Sequence, residues 1–201
     1  VAALWRAQAG QPGLTQPVSV DLIEQLIFSK IYFDPPGLIL AFDDDRPVGF
    51  VHAGFGPNEE REGIDPAMGV TCVVIVHPEY AGTDLAPRLL EHSEQYLRER
   101  GAKVLYGGGI APLNPFYTGL YGGSELPGVL ETDQEVCQLF LGHGYREIDR
   151  TVLLRRGLTS FEVPFDRRQM QLRRQMVVEV TADALARDWW EACTLGDFDL
   201  T

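Results

Sequence analysis

Positive charge is in short supply in this sequence. Across 201 residues, 17 lysines and arginines face 29 aspartates and glutamates, for a net charge of -12. A surface of that sign repels phosphate backbones and anionic lipid, which argues against nucleic acid and membrane as partners and suits a cationic substrate. Cysteine is scarce as well. Cys72, Cys137 and Cys193 lie far apart, without the spacing of a metal site or a redox motif. They read as free thiols in a reducing cytoplasm, the expected location. Long apolar runs are missing: none approaches the roughly 20 residues of a membrane span, and no secretory signal pattern is visible. The chain opens on Val1 rather than Met, so residues ahead of it are expected. There is no nucleophile motif of the Ser-His-Asp kind and no ligand pair at helical spacing, so neither a hydrolase triad nor a metal is expected. The length suits one domain with a sizeable core, or one domain and the start of another.

What is present is concentrated between Gly69 and Gly101. Val70 to Val76 is short, β-branched and apolar, the pattern of a strand buried on both faces. Pro78 ends it, a loop with Gly82 follows, and Thr83 or Asp84 caps a helix. Leu85, Ala86, Leu89, Leu90, Ser93, Tyr96 and Leu97 form the apolar face of that helix. A strand, a glycine loop and a helix N-terminus in succession make an anion site, because free N–H groups and the helix dipole converge there.

This stretch resembles the acyl-CoA-binding core of the GNAT superfamily of N-acyltransferases. The resemblance rests on Val-His-Pro-Glu-Tyr at the end of a valine-rich strand, the glycine turn, the Leu89-Leu90 helix and the strand Gly-Ala-Lys-Val-Leu-Tyr, and it covers about Gly37 to Arg156. It implies an α/β (α+β) fold: a mixed, mostly antiparallel twisted sheet with a central, splayed parallel strand pair and flanking helices. The family loop, Arg/Gln-x-x-Gly-x-Gly/Ala, holds the CoA pyrophosphate on its N–H groups. Its counterpart here is Ala81, Gly82, Thr83, Asp84, Leu85 and Ala86, so the first position has lost its polar side chain and the middle glycine is a carboxylate. The implied co-substrate is acetyl-CoA, held by these six residues, by Val74, Ile75 and Val76 on the strand, and by Asn114. The implied reaction is acyl transfer to the amine of a small molecule or peptide. A binding module of the same fold without catalysis is the alternative, and a homodimer or a second GNAT module is compatible with either.

The remaining chain arranges itself around this core. Ala2–Ala9 is a short helical piece, and Ser19 caps a second helix to about Phe28. Leu38–Phe42 and Val48–Phe55 form a hairpin, and Gly56–Met68 is a polar loop. Lys103–Tyr106 is the strand parallel to Val70–Val76. Residues 112–128 form a Gly-, Pro- and aromatic-rich insertion that either covers the acyl end of the site or plugs the gap between helix and sheet. Thr132 or Asp133 caps a further helix, after which Tyr145–Ile148 and Thr151–Leu154 read as the closing strand. Residues 1–157 are expected to form the GNAT-like domain. Residues 158–201 are expected to form an extension, with a strand over Gln169–Val180 and a helix from Thr181, compatible with the start of a second module.

Direct attack of an amine on a thioester needs a base, an oxyanion donor and a proton for the thiolate. The base candidates are His52, His77 and Glu125. The family often takes its thiolate proton from a tyrosine four residues before the Gly144 position, and Phe140 stands there. Tyr117 and Tyr121 in the insertion are the replacement candidates, so the catalytic set is Tyr117, Tyr121 and His77.

Overall fold

The structure, a computed structural model, describes residues 1–11, 13–108, 113, 116–117, 120–121, 128–152, 157, 159 and 166–176. Helix α1 (Ala2–Ala7) and helix α2 (Val20–Ile23) precede the sheet. The Ser19 hydroxyl accepts the Leu22 N–H and starts α2, which continues as a π-helical turn over Glu24–Phe28. Strands β1 (Leu38–Asp43) and β2 (Arg46–Pro57) form the expected hairpin, with Asp44 at φ 51 turning the chain between them. Strand β3 (Ile64–Val76) begins earlier than its apolar run suggests: Ile64–Met68 belongs to it and not to the polar loop. Alternating burial there marks a strand with one solvated face.

The sheet order is β1-β2-β3-β4, antiparallel except for β3 and β4 (Val104–Gly107), which run parallel. Helix α3 (Leu85–Glu99) makes the crossover that a parallel pair requires. Its buried residues are Leu89, Leu90, Ser93, Tyr96 and Leu97, as the spacing predicts, and also Glu94, which the spacing puts on the polar face and which pairs with Arg98 at 2.9 Å. It ends in a Schellman motif: the Ala102 N–H donates to the Leu97 carbonyl and the Gly101 N–H to that of Arg98, both at 3.0 Å, with Gly101 at φ +105.

Two apolar layers cover the sheet. α3 supplies one, packing Leu89 on Val51 and Val74, and Leu97 and Tyr96 on Ala53 and Phe55. The other is built from α1, α2 and the insertion: Trp5, Ile23, Ile27, Tyr32, Phe116, Tyr117 and Leu120 pack on Phe50, Val70 and Ile75. Phe116 and Tyr117 of the insertion are therefore core residues between the N-terminal helices and the sheet. The Thr15 N–H, donated to the Leu120 carbonyl at 2.8 Å, and a bridge between Leu14 and Tyr121 tie the insertion to the N-terminal loop.

Helix α4 (Gln134–Gly142) is capped by Asp133, whose carboxylate accepts the Val136 N–H at 3.3 Å. Two expectations are corrected. Residues 145–152 form no strand; they are largely exposed, Ile148 and Val152 included, and Arg150 is bound to Glu147 and Glu131, while 153 and 154 lie outside the described residues. From Gln169, where a strand was expected, the chain is instead helix α5 (Arg167–Gln175). Arg, Gln, Met and Leu are strong helix formers, and Asp166 caps the helix by accepting the Arg168 N–H. The rest of that expected strand, the helix from Thr181 and Cys193 lie outside the described residues.

Candidate functional site

β3 loses a partner partway along its length. From Met68 to Thr71 it pairs with β4, and the last tie is the Gly108 N–H donated to the Thr71 carbonyl at 2.8 Å. On its other edge β3 stays with β2 as far as Val76. The His77 N–H donates to the Val48 carbonyl at 2.8 Å, so 73 and 75 also face β2, while Val74 and Val76 turn their N–H and C=O groups into the opening beside β4. One extra residue sets this parity. His52 pairs with Val73 but Ala53 pairs with Thr71, leaving Cys72 unmatched. Without that bulge, residues 73 and 75 would face the opening instead.

The opening is a cleft of about 310 Å³, at the small end of the range for ligand sites. Residues 71–76 of β3 form one wall. Val136, Leu139 and Phe140 of α4 line the facing side, and Gly82, Thr83 and Ala86 line it beyond Val76. Phe140 lies directly on the end of β4: a Cβ on Gly107 would stand 2.5 Å from its ring. Every charged side chain on the lining is acidic, namely Asp133 and Glu135.

The loop after β3 is organised by Thr83. Its hydroxyl donates to the Tyr80 carbonyl at 2.7 Å and accepts the Leu85 N–H at 3.3 Å, while the Asp84 side chain makes no capping bond and is exposed. Of the two expected caps, Asp84 holds the N-cap position without a side-chain bond, and the hydroxyl contact comes from Thr83 one residue earlier. Gly82 stands at φ +73, and the N–H groups of Gly82, Asp84 and Ala86 take no acceptor among the described residues. Pro87 has no N–H, and that of Arg88 is held by the Asp84 carbonyl at 3.1 Å. Three donors and the dipole of a fifteen-residue helix thus make an anion cradle, with the Asp84 carboxylate beside it. Ala81 lines the cleft; Leu85 packs toward Val51 and Leu89.

Of the catalytic candidates, Tyr121 lines the cleft and Tyr117 and His77 do not. The Tyr121 hydroxyl donates to the Asp133 carboxylate and accepts the Leu130 N–H, both at 3.2 Å. Burial first, and then the Asp133 charge, push this phenol well above its ordinary pKa, so it is protonated at neutral pH. Tyr117 is fully buried at φ 60, stacked on Trp5 with ring centroids 5.7 Å apart, and its hydroxyl meets His52 Nδ1 at 3.0 Å. Burial drives the His52 pKa down to about 3, and its Nε2 has no partner among the described residues. His77 points outward, with Nε2 3.1 Å from Arg46 and Nδ1 accepting the Glu79 N–H. Asn114 and Glu125 lie outside the described residues. The sequence reading missed Gln8, which lines the cleft and donates from Nε2 to the Val76 carbonyl at 2.8 Å. The available signal was its position four residues after the buried Leu4, on the apolar stripe of α1.

The profile of the Acetyltransferase (GNAT) family matches residues 4–121. Two curated relatives are mycothiol acetyltransferases. That of Rhodococcus jostii (strain RHA1) is 37% identical over 83 residues, and that of Rhodococcus opacus (strain B4) is 36% identical over 83 residues. The match takes in 39% of this chain and 26% of each relative, so the chain spans about a quarter of their length. Among solved structures, a putative acetyltransferase from Agrobacterium tumefaciens str. C58 is 12% identical, covering 77% of this chain and 90% of that one, with a TM-score of 0.48. An aminoglycoside acetyltransferase in complex with a bisubstrate analogue of CoA is 12% identical, covering 78% and 91%, with a TM-score of 0.47.

Proposed function

Because the chain belongs to the Acetyltransferase (GNAT) family, we propose that it transfers an acyl group, acetyl in the first instance, from acyl-CoA to an amine. The observation that carries this reading is the edge of β3 left without a strand partner: Val74 turns its N–H and C=O groups, and Val76 a carbonyl held by the Gln8 side chain, along a cleft that leads to an anion cradle. A pantetheine arm carries amides that such an edge pairs, as an added strand would. The residues fit the arm. At the cradle, the N–H groups of Gly82, Asp84 and Ala86 suit a diphosphate, and the exposed Asp84 carboxylate opposes it.

In this reading the amine attacks the thioester carbon; a C–N bond forms and the C–S bond breaks. The Val74 N–H supports the developing oxyanion. Tyr121 gives its proton to the leaving sulfur, Asp133 takes the proton lost by the amine, and the hydrogen bond between these two side chains returns it to the phenolate. The acidic lining favours a cationic acceptor. We assign this chemistry to residues 1–157, with 158–201 as an extension. The test is thiol release from acetyl-CoA in the presence of amine acceptors, starting with the mycothiol acetylation named in the curated relatives. Acceptor-dependent release is expected. No release with any amine, from protein that binds acetyl-CoA, would overturn the catalytic part of the reading.

A further inference from the structure

The edge of β3 is not wholly open. Val76 directs its carbonyl into the cleft, and that carbonyl already has a donor, Gln8 Nε2 at 2.8 Å. A carbonyl oxygen only accepts, so the amide nitrogen is the atom that faces it. Gln8 is the last-turn cap of α1 and is 9% exposed. Trp5, fully buried one turn earlier, fixes that end of the helix: its indole N–H donates to the Thr15 carbonyl at 3.0 Å. Next along the same edge, the Val74 groups have no partner among the described residues. Sixty-eight residues of sequence separate Gln8 from Val76, so tertiary packing, not local turn chemistry, makes this contact.

We propose that Gln8 is the gate of the acyl-donor channel: its carboxamide occupies the strand carbonyl that an incoming donor amide must take, and the donor enters by displacing it. The proposal rests on the acyl-donor reading above. The exchange breaks the 2.8 Å bond to Val76, and with it the longer 3.5 Å contact of the same nitrogen to the Leu4 carbonyl, and forms one N–H···O=C bond to the donor, so donor affinity is lowered by the stability of the resident contacts. The side chain is a short polar arm on a helix end, able to swing without unfolding the sheet. Only donors that offer an N–H at this point of the chain recover the lost bond, so the gate also selects for an amide-bearing arm.

The experiment is calorimetric titration of the wild-type protein and Gln8→Met with pantetheine and with acetyl-CoA. Methionine keeps the bulk and the helix preference and removes the N–H. Expected is about a fivefold tighter Kd for both ligands in Gln8→Met, the scale of one net neutral hydrogen bond. A parallel measurement needs no variant: the Gln8 side-chain NH2 signals of the wild type are followed by NMR as pantetheine is added, and they should shift with the same Kd. Binding with equal Kd in both proteins, or saturation without movement of the Gln8 signals, overturns the gate and leaves the donor reading standing. Failure of both proteins to bind either ligand overturns the donor reading and the gate with it.

Discussion

At the scale of single residues, the two tyrosines of the insertion separate cleanly. Tyr121 touches the cleft and an acid, whereas Tyr117 touches Trp5 and His52 in the core. Tyr121→Phe should keep the fold and lose roughly 10²-fold in turnover, the usual scale of general acid–base help; wild-type kcat would remove Tyr121 from the mechanism. Tyr117→Phe should leave turnover intact and cost about 1–3 kcal/mol in denaturant unfolding, because it strips the partner from a buried imidazole. The same imidazole predicts a pH dependence. His52 ionises at about 3 in the folded protein and near 6.5 unfolded, so the unfolded state binds the extra proton and stability rises with pH. Its contribution is complete above pH 6.5 and is lost at about 1.4 kcal/mol per pH unit as pH falls toward 3. Urea unfolding at pH 7 and pH 5 should show that loss in the wild type and not in His52→Gln. At the cradle, Asp84→Gly should tighten acetyl-CoA binding by up to about fivefold, since an exposed charge pair is worth about 1 kcal/mol or less. Raising the salt should shrink the difference, and an unchanged Kd would place the diphosphate elsewhere.

At the scale of elements, the parts with strong local signals were legible. The β-branched run of β3, the amphipathic face of α3 and the caps Ser19 and Asp133 each follow from residues close together in sequence. What failed lacked such a signal or was decided at a distance. Nothing in Val70–Val76 announces that Cys72 is the extra residue that turns Val74 and Val76 toward the cleft, because a bulge depends on the partner strand. Gln169 onward mixes polar and apolar residues in a way that alternation alone misreads, and helix propensity decided it. Phe140 was noticed for the phenol it lacks, but its role as the wall resting on Gly107 needed the fold. Gly107→Ala should push that ring aside. The expected outcome is a loss of about 1–3 kcal/mol in stability, together with weaker donor binding. Wild-type values of both would mean that the α4 wall moves freely.

At the scale of the molecule, two apolar layers hold one sheet, and the cleft lies where β3 runs on beyond its pairing with β4. In the proposed reading, the net charge of -12 disfavours anionic macromolecules and favours a cationic acceptor, and backbone N–H groups rather than basic side chains would receive the donor's diphosphate. The β3 edge and the loop after it are then the donor site of the proposed reaction. A ¹H–¹⁵N NMR titration with acetyl-CoA reads both together. The amide signals of Val74, Val76, Gly82 and Ala86 are expected to move with a single Kd while those of β1 stay still. Saturable shifts confined to other parts of the sheet, or no shifts at millimolar acetyl-CoA, would contradict it.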